Sequence, residues 1–349
     1  MRGPIRPRGL PTGSPPSRQR GIALLVAIML VALGTIIAAT IAYENAMTAR
    51  RSTATFALDE SVLVAEAAEA LAAFGLREVW RSDKSHTYIG QGWDKPVGPV
   101  EVVPDVMLTA SLEDMQGRFN LNNLVKTDGT PDPVQVAAFE QLLASLGIEP
   151  KWAGYVVDWI DPDIVPTNPE GAEDSVYLGQ APPYRTANMY ITSASELLAL
   201  PGFGHDRYKK LEPFVTALPY GTALNLCTAP GAVLDAFIPG RQEFGVDPEG
   251  LAKNRQAAGA CFPKLSDYQA AGGGSGGGQP GAPATNARTP QQPGTGPSGG
   301  GGASFDEHSS YFKLTSYVTI GTTEFNLYSV LFQDGSGQVR PILRTYTPD

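Results

Sequence analysis

The sequence predicts an α+β fold: a long N-terminal helix packed on an antiparallel sheet, with a large helical domain inserted between them in the chain. Three observations carry this. Residues 22–43 are an uncharged apolar run, and helix-periodic sequence continues from there to about Trp80. Residues 311–346 alternate in short extended runs separated by turn residues. Between the two, residues 132–218 carry helix start and stop signals. A sheet with one apolar face needs a covering helix, and the first helix is the spare long one. The sheet would thus reunite the two ends of the chain.

Composition narrows the function classes. The 349 residues are 42% hydrophobic and 17% charged, with a formal net charge of -9. That length predicts about two domains. The acidic balance argues against a general nucleic-acid binder, which usually carries a basic patch. With 3 His and 2 Cys, a Cys/His-rich zinc array is excluded. Gly (39) and Pro (30) are abundant but follow no G-X-Y period, so the chain is not collagen-like. No nucleophile elbow, P-loop or H-E-x-x-H motif is present.

Residues 1–21 hold Arg2, Arg6, Arg8, Arg18 and Arg20 and no acid. The apolar run behind them would span roughly 33 Å as a helix, enough to cross a bilayer. The arginines favour an N-inside orientation, which puts the bulk of the chain outside the cytoplasm. The run is too long for a cleaved secretory signal, and no clean A-x-A site follows it. A plain signal anchor and a type IV prepilin leader, cut between Gly21 and Ile22, both remain open from these residues. Val26 stands at the fifth position after that cut, where most pilins carry Glu. An intramembrane carboxylate is expensive and persists for a paired role; a subunit with no subunit above it would not need one.

Beyond the membrane, Phe56, Leu63, Ala67, Ala70, Leu71 and Phe74 form one apolar stripe at helical spacing. Ser61, Glu66 and Glu69 fall off that stripe and can face water. Pilin-like proteins lay such a continued helix onto a sheet. Residues 99–112 read as extended, with Pro104 breaking or bulging the run. Pro133 suits a first helical turn, and Val136, Phe139, Leu142, Leu143 and Leu146 follow at helix spacing up to a Gly147 cap. Ser193 or Ser195 can cap a helix that ends at Gly202-Phe203-Gly204. Residues 272–304, with 13 Gly, 5 Pro and no acid, can bury no apolar area and predict a flexible linker. Three strands follow, over residues 311–320, 323–333 and 339–346, joined by Gly321 and by the turn Asp334-Gly335-Ser336-Gly337.

Chemistry concentrates in one loop, residues 161–174, which carries Asp161, Asp163, Glu170, Glu173 and Asp174 among turn formers. It can supply the oxygen ligands that Ca²⁺ takes, or it can be a solvated acidic loop. It is not an EF-hand, because Val165, Pro166 and Ala172 fall where ligands or the turn glycine should stand. Leu200-Pro201-Gly202-Phe203-Gly204 resembles a helix-hairpin-helix turn, but Glu196, Asp206 and Glu212 surround Lys209 and Lys210. Packing is therefore favoured there over phosphate binding. Cys227 and Cys261 are either a disulfide, as expected outside the cytoplasm, or two buried thiols.

Taken together, these segments resemble the type II secretion system protein K family of minor pseudopilins. The resemblance runs through Gly21-Ile-Ala-Leu-Leu25, Gly117-Arg-Phe-Asn-Leu-Asn-Asn-Leu124, Val157-Asp-Trp-Ile-Asp161 and Gly171-Ala-Glu-Asp174. It continues through Pro182-Pro-Tyr-Arg-Thr-Ala-Asn188, Thr192-Ser-Ala-Ser-Glu-Leu197 and Asn225-Leu-Cys-Thr-Ala-Pro230. The missing Glu at Val26 is characteristic of that subunit. A longer leader, Cys227 in place of a frequent second Asn, and the Gly-rich linker are departures from it.

The resemblance implies a pilin-like fold in six segments. These are a prepilin leader (1–21), a transmembrane helix (22–43), a helix continuation with the first strands (44–118), an inserted helical domain (119–271), a linker (272–304) and closing strands (305–349). It implies cleavage and methylation by a prepilin peptidase at Gly21 and Ile22. It also implies a non-enzymatic place at the pseudopilus tip beside minor pseudopilins I and J, in protein export across the outer membrane. The protein would sit in the inner membrane as a single-pass protein, N-terminus cytoplasmic and bulk periplasmic, without nucleic acid. Structural Ca²⁺ is implied, with Asp161, Asp163, Glu173 and Asp174 as candidate ligands. The alternative reading is a membrane-anchored periplasmic helix-hairpin-helix protein that binds incoming DNA; a metal-dependent hydrolase is a third.

Overall fold

The computed structural model describes residues 20–238, 240, 242–272 and 304–347. The expected leader, apart from Arg20 and Gly21, and nearly all of the expected linker lie outside the described residues. Contacts divide the chain into two units, one ending at Glu60 and one starting at Ser61.

Helix α1 (Arg20–Ser82) runs unbroken for 63 residues. In the first unit all of its described apolar side chains except Met47 and Ala57 are exposed, and its most apolar window has a mean hydropathy of 2.9 with none of it buried. That is one helix long and apolar enough to cross a membrane. The Thr35 and Thr40 hydroxyls donate to the Ala32 and Ile36 carbonyls at 2.8 Å, which removes lone donors from an apolar surface.

In the second unit the chain passes through β1 (Val97–Val103), β2 (Val106–Asp114), β3 (Phe119–Asn120), α2 (Pro133–Ser145), α3 (Trp152–Ile160), α4 (Asp174–Tyr177) and α5 (His205–Leu211). It continues with β4 (Val215–Thr216), β5 (Leu224–Asn225), α6 (Gly231–Ala236), α7 (Pro248–Ala258) and α8 (Leu265–Ala270). Strands β6 (Phe305–Asp306), β7 (Tyr311–Ile320), β8 (Thr323–Gln333) and β9 (Val339–Thr345) close it. The main sheet has the order β1-β2-β7-β8-β9 and is antiparallel throughout. Strand β2 joins β7 across the whole insertion, from Val106 opposite Ile320 to Asp114 opposite Phe312. The extended run expected over residues 99–112 is a hairpin: Pro104 and Asp105 make its turn, with Asp105 at φ 66. Strand β6 leaves the main sheet and pairs with β5 instead.

The end of α1 packs on the sheet, but with the opposite face from the one the periodicity suggests. Leu63, Leu71 and Phe74 are 66%, 60% and 57% exposed, whereas Ser61, Ala65, Ala68 and Glu69 are buried. Small residues let the helix approach the sheet closely. Val64, Ala65 and Ala68 meet Val106, Leu108, Val318 and Leu327, and Leu76 meets Phe312, Leu314 and Leu331. Glu69 tolerates burial because Arg344 on β9 grips it, Nη2 to Oε1 at 2.7 Å and Nε to Oε2 at 2.9 Å. The Ser329 hydroxyl donates to the same carboxylate at 2.8 Å. A buried acid with three such donors is paired, which meets the condition for burying charge.

The inserted helices share a separate core around Phe119, Leu124, Phe139, Leu142, Val156, Phe203 and Leu234. Asp132 caps α2 by accepting from the Val134 amide at 3.0 Å, with Pro133 opening the helix. Gly147, at φ 67, takes the left-handed conformation beyond its end. The Asn-rich run before α2 ties distant loops together. Asn122 Nδ2 donates to the Ile191 and Leu218 carbonyls at 2.8 Å, and its Oδ1 accepts from the Ile191 amide at 2.8 Å. Asn120 Oδ1 accepts from the Leu218 amide at 3.0 Å, and Asn123 Oδ1 from the Gly221 amide at 2.9 Å. A second knot joins insertion to sheet. Half-buried Asp114, at the end of β2, accepts at its Oδ2 from Asn225 Nδ2 at 3.0 Å, Thr228 Oγ1 at 2.5 Å and Ser309 Oγ at 2.6 Å. Burial pushes the Asp114 carboxyl up from its ordinary range, against these donors.

Candidate metal centre

The acidic loop is shaped by Asp158, in the last turn of α3. Its buried carboxylate accepts from the Thr167 amide at 3.0 Å and the Ala172 amide at 2.6 Å, which folds residues 162–172 back over the helix end. Gly171 is required by that fold, since a Cβ there would overlap the Asp158 carboxylate and the Thr167 amide. The loop thereby returns Glu173 to the end of α3, where Asp161 caps the helix and Asp163 follows.

Asp161, Asp163 and Glu173 each bring a carboxylate oxygen to within 4.8 Å of the others. Oxygens bound to one Ca²⁺ at about 2.3–2.6 Å can lie no further apart than about 5 Å, so the three fit a common ion. Asp161 and Glu173 are each only 3% exposed. Asp161 Oδ1 and both Glu173 oxygens are buried without a hydrogen-bond partner. Burial first, then the neighbouring charges of Asp163, Asp158 and Glu173, pushes the Asp161 carboxyl up to about 7. Burial, then Asp158 and Asp163, pushes Glu173 up to about 7 as well. Orphaned buried carboxylates of this kind are costly unless a cation joins them. The all-oxygen donor set suits a hard cation such as Ca²⁺.

The fourth sequence candidate, Asp174, does not join the cluster. It opens α4 and spends its carboxylate on Arg185 Nη1 at 3.0 Å and on the Thr186 amide and hydroxyl at 3.2 and 3.1 Å. Asn188 is a residue that sequence reasoning left out. Its Nδ2 donates to the Asp163 carbonyl at 3.3 Å, and its Oδ1 is buried without a partner. It sits at φ 48, a conformation Asn tolerates better than most residues, and its place at the end of the matching stretch Pro182–Asn188 is the signal the sequence offers.

Elsewhere, two cations of α5, just after the hairpin-like turn, are engaged by acids. Arg207 forms a forked pair with Glu149 at 2.8 and 2.9 Å, and Lys209 meets Glu212 at 2.9 Å. Cys227 and Cys261 form a disulfide.

A family model described as type II secretion system (T2SS), protein K, matches residues 117–220. That stretch covers the Asn knot and the acidic loop. Type II secretion system protein K of Pseudomonas aeruginosa is 36% identical over 245 residues, covering 66% of this chain and 73% of that protein.

The chain belongs to the type II secretion system protein K family.

Members from Klebsiella pneumoniae and Pectobacterium carotovorum subsp. carotovorum agree. The first is 32% identical over 255 residues, covering 69% of this chain and 77% of its own length. The second is 37% identical over 217 residues, covering 58% of this chain and 64% of its own length. Among solved structures, the GspK-GspI-GspJ complex from the enterotoxigenic Escherichia coli type 2 secretion system contains a similar fold. The match has a TM-score of 0.62 at 21% identity, and covers 86% of this chain and 100% of the matched one. The expected α+β architecture, a long helix on an antiparallel sheet with additional helices, is therefore that of protein K.

Proposed function

We propose that this chain is the tip subunit of a type II secretion pseudopilus, held in the inner membrane with its bulk in the periplasm. It takes part in protein export across the outer membrane by assembly, without catalysing a reaction, beside minor pseudopilins I and J. The observation that carries this reading is helix α1. One unbroken helix is membrane-grade over its first part, and further along it lies on a sheet with a large apolar stripe left exposed. Such a stripe suits packing against other helices of the same kind. Val26 supports a terminal position, because it lacks the acid that would bind a subunit above.

On this reading a prepilin peptidase cuts after Gly21 and methylates Ile22. Mass spectrometry of the membrane-extracted protein tests it. A methylated Ile22 N-terminus is expected, and a mature chain still beginning at Met1 would overturn it.

Structural Ca²⁺ held by Asp161, Asp163 and Glu173 is part of the same proposal. Adding Ca²⁺ at 100-fold over its Kd to chelator-treated protein should stabilise it by about 2.7 kcal/mol. Thermal melts should lose that increment in Glu173→Gln and keep most of it in Asp174→Asn. An equal loss in both variants would contradict the ligand set.

A further inference from the structure

Between α2, α6 and α7 lies a cleft of about 830 Å³ whose walls include Leu146, Phe214, Pro230, Val246 and Leu251. Its volume falls within the range of small-ligand sites. Two ionisable side chains line it among the described residues, Asp235 and Arg255. Asp235 is already spent. Its carboxylate accepts from the Glu243, Phe244 and Gly245 amides at 3.1, 3.0 and 2.6 Å, which pins the loop on one side of the cleft.

Arg255 is different. Only 8% of it is exposed. Its Nε donates to the Phe262 carbonyl at 3.0 Å, and its Nη2 to the Leu226 and Ala229 carbonyls at 2.9 and 2.7 Å. Three neutral acceptors fix the plane of the guanidinium without cancelling its charge. Its Nη1 has no acceptor among the described residues, and the Arg255 side chain is part of the cleft wall. Burial alone pushes the guanidinium down to about 10, with no carboxylate holding it up. A near-buried cation that meets only neutral acceptors among the described residues, in the wall of an apolar cleft, is complementary to an anion that brings its own apolar surface.

We infer that this cleft binds a monocarboxylate carried on an apolar body, its carboxylate on Arg255 and its body against Leu146, Phe214 and Val246. Two sources share that chemistry, a polypeptide C-terminus ending in an apolar residue and a free fatty acid. The inference is independent of the assembly role.

Calorimetric titration of the full chain in lipid nanodiscs tests it, with N-acetyl-leucyl-phenylalanine, its C-terminal amide and octanoate as probes and empty nanodiscs subtracted. At least one carboxylate should bind, and the amide should bind roughly tenfold or more weakly than its acid, the loss of a charge-assisted hydrogen bond. Arg255→Gln should lose the same factor. Because that variant also gives up structural hydrogen bonds, Ala252→Trp is the second arm. It fills the cleft from an exposed position on α7, leaves Arg255 in place, and should abolish binding. Tighter binding of the dipeptide assigns the polypeptide source, and tighter binding of octanoate the lipid source. Equal affinity for acid and amide, no binding of either carboxylate, or unchanged binding in Ala252→Trp would overturn the inference.

Discussion

Asn122 illustrates how single side chains hold the insertion together. Buried at 3% exposure, it satisfies both backbone groups of Ile191 and the carbonyl of Leu218, on two loops far along the chain. Asn122→Leu keeps the branched shape and the number of side-chain heavy atoms but strands three buried polar groups. It should cost about 3 kcal/mol in chemical denaturation, against about 1 kcal/mol for half-buried Asn123→Ala. A loss under 1 kcal/mol in Asn122→Leu would mean the loops find other partners. In the sequence these asparagines stood out only as a matching motif, because their partners lie 69 and 96 residues away. The acidic loop was more legible. Its carboxylates are crowded within 14 residues, so a local fold brings three of the four candidates together. Asp174 departs because Arg185 and Thr186 claim it, and Asn188 enters because the fold strips its oxygen of partners. Both facts depend on a loop conformation that spacing does not encode.

The elements themselves were largely readable, and the face of α1 was not. Helical period, turn residues and alternation placed the long helix, α2 and the three closing strands within a few residues. Periodicity, however, finds an apolar stripe without saying what covers it. Here the small-residue face meets the sheet, and the large apolar stripe points outward. What fixes the rotation is Glu69, clamped to β9 by Arg344 and to β8 by Ser329. Arg344→Ala would leave the buried Glu69 carboxylate with the serine hydroxyl alone. Breaking a buried pair this way costs about 3–5 kcal/mol when both partners are buried. The Arg344 side chain is 41% exposed, so a smaller loss of about 1–3 kcal/mol is expected. Hydrogen exchange should locate the effect, with β9 amides exchanging faster and α3 amides unchanged. Glu69→Gln should cost less, since Arg344 can then turn to water. A larger loss in Glu69→Gln than in Arg344→Ala would put the stabilising interaction elsewhere.

Across the whole molecule, the sheet is completed only when strands from the two ends of the chain meet, at the β2–β7 ladder. The insertion keeps its own core and is tied to that ladder through Asp114, Asn225 and Ser309. This division lets the outward stripe of α1 be altered without touching either core. Leu63, Leu71 and Phe74 fall within one helical sector and are all more than half exposed, an arrangement a lone subunit has no reason to keep. If the stripe serves assembly, the double variant Leu71→Glu, Phe74→Glu should melt like the wild type, within about 0.5 kcal/mol per surface substitution. It should nevertheless fail to co-purify with minor pseudopilins I and J from membranes and fail to support secretion. Asp174→Asn, on the far side of the sequence from α1, should co-purify normally in the same experiment. Wild-type co-purification of the double variant would assign assembly to another surface, because two buried carboxylates at a helix–helix contact cannot be accommodated without partners.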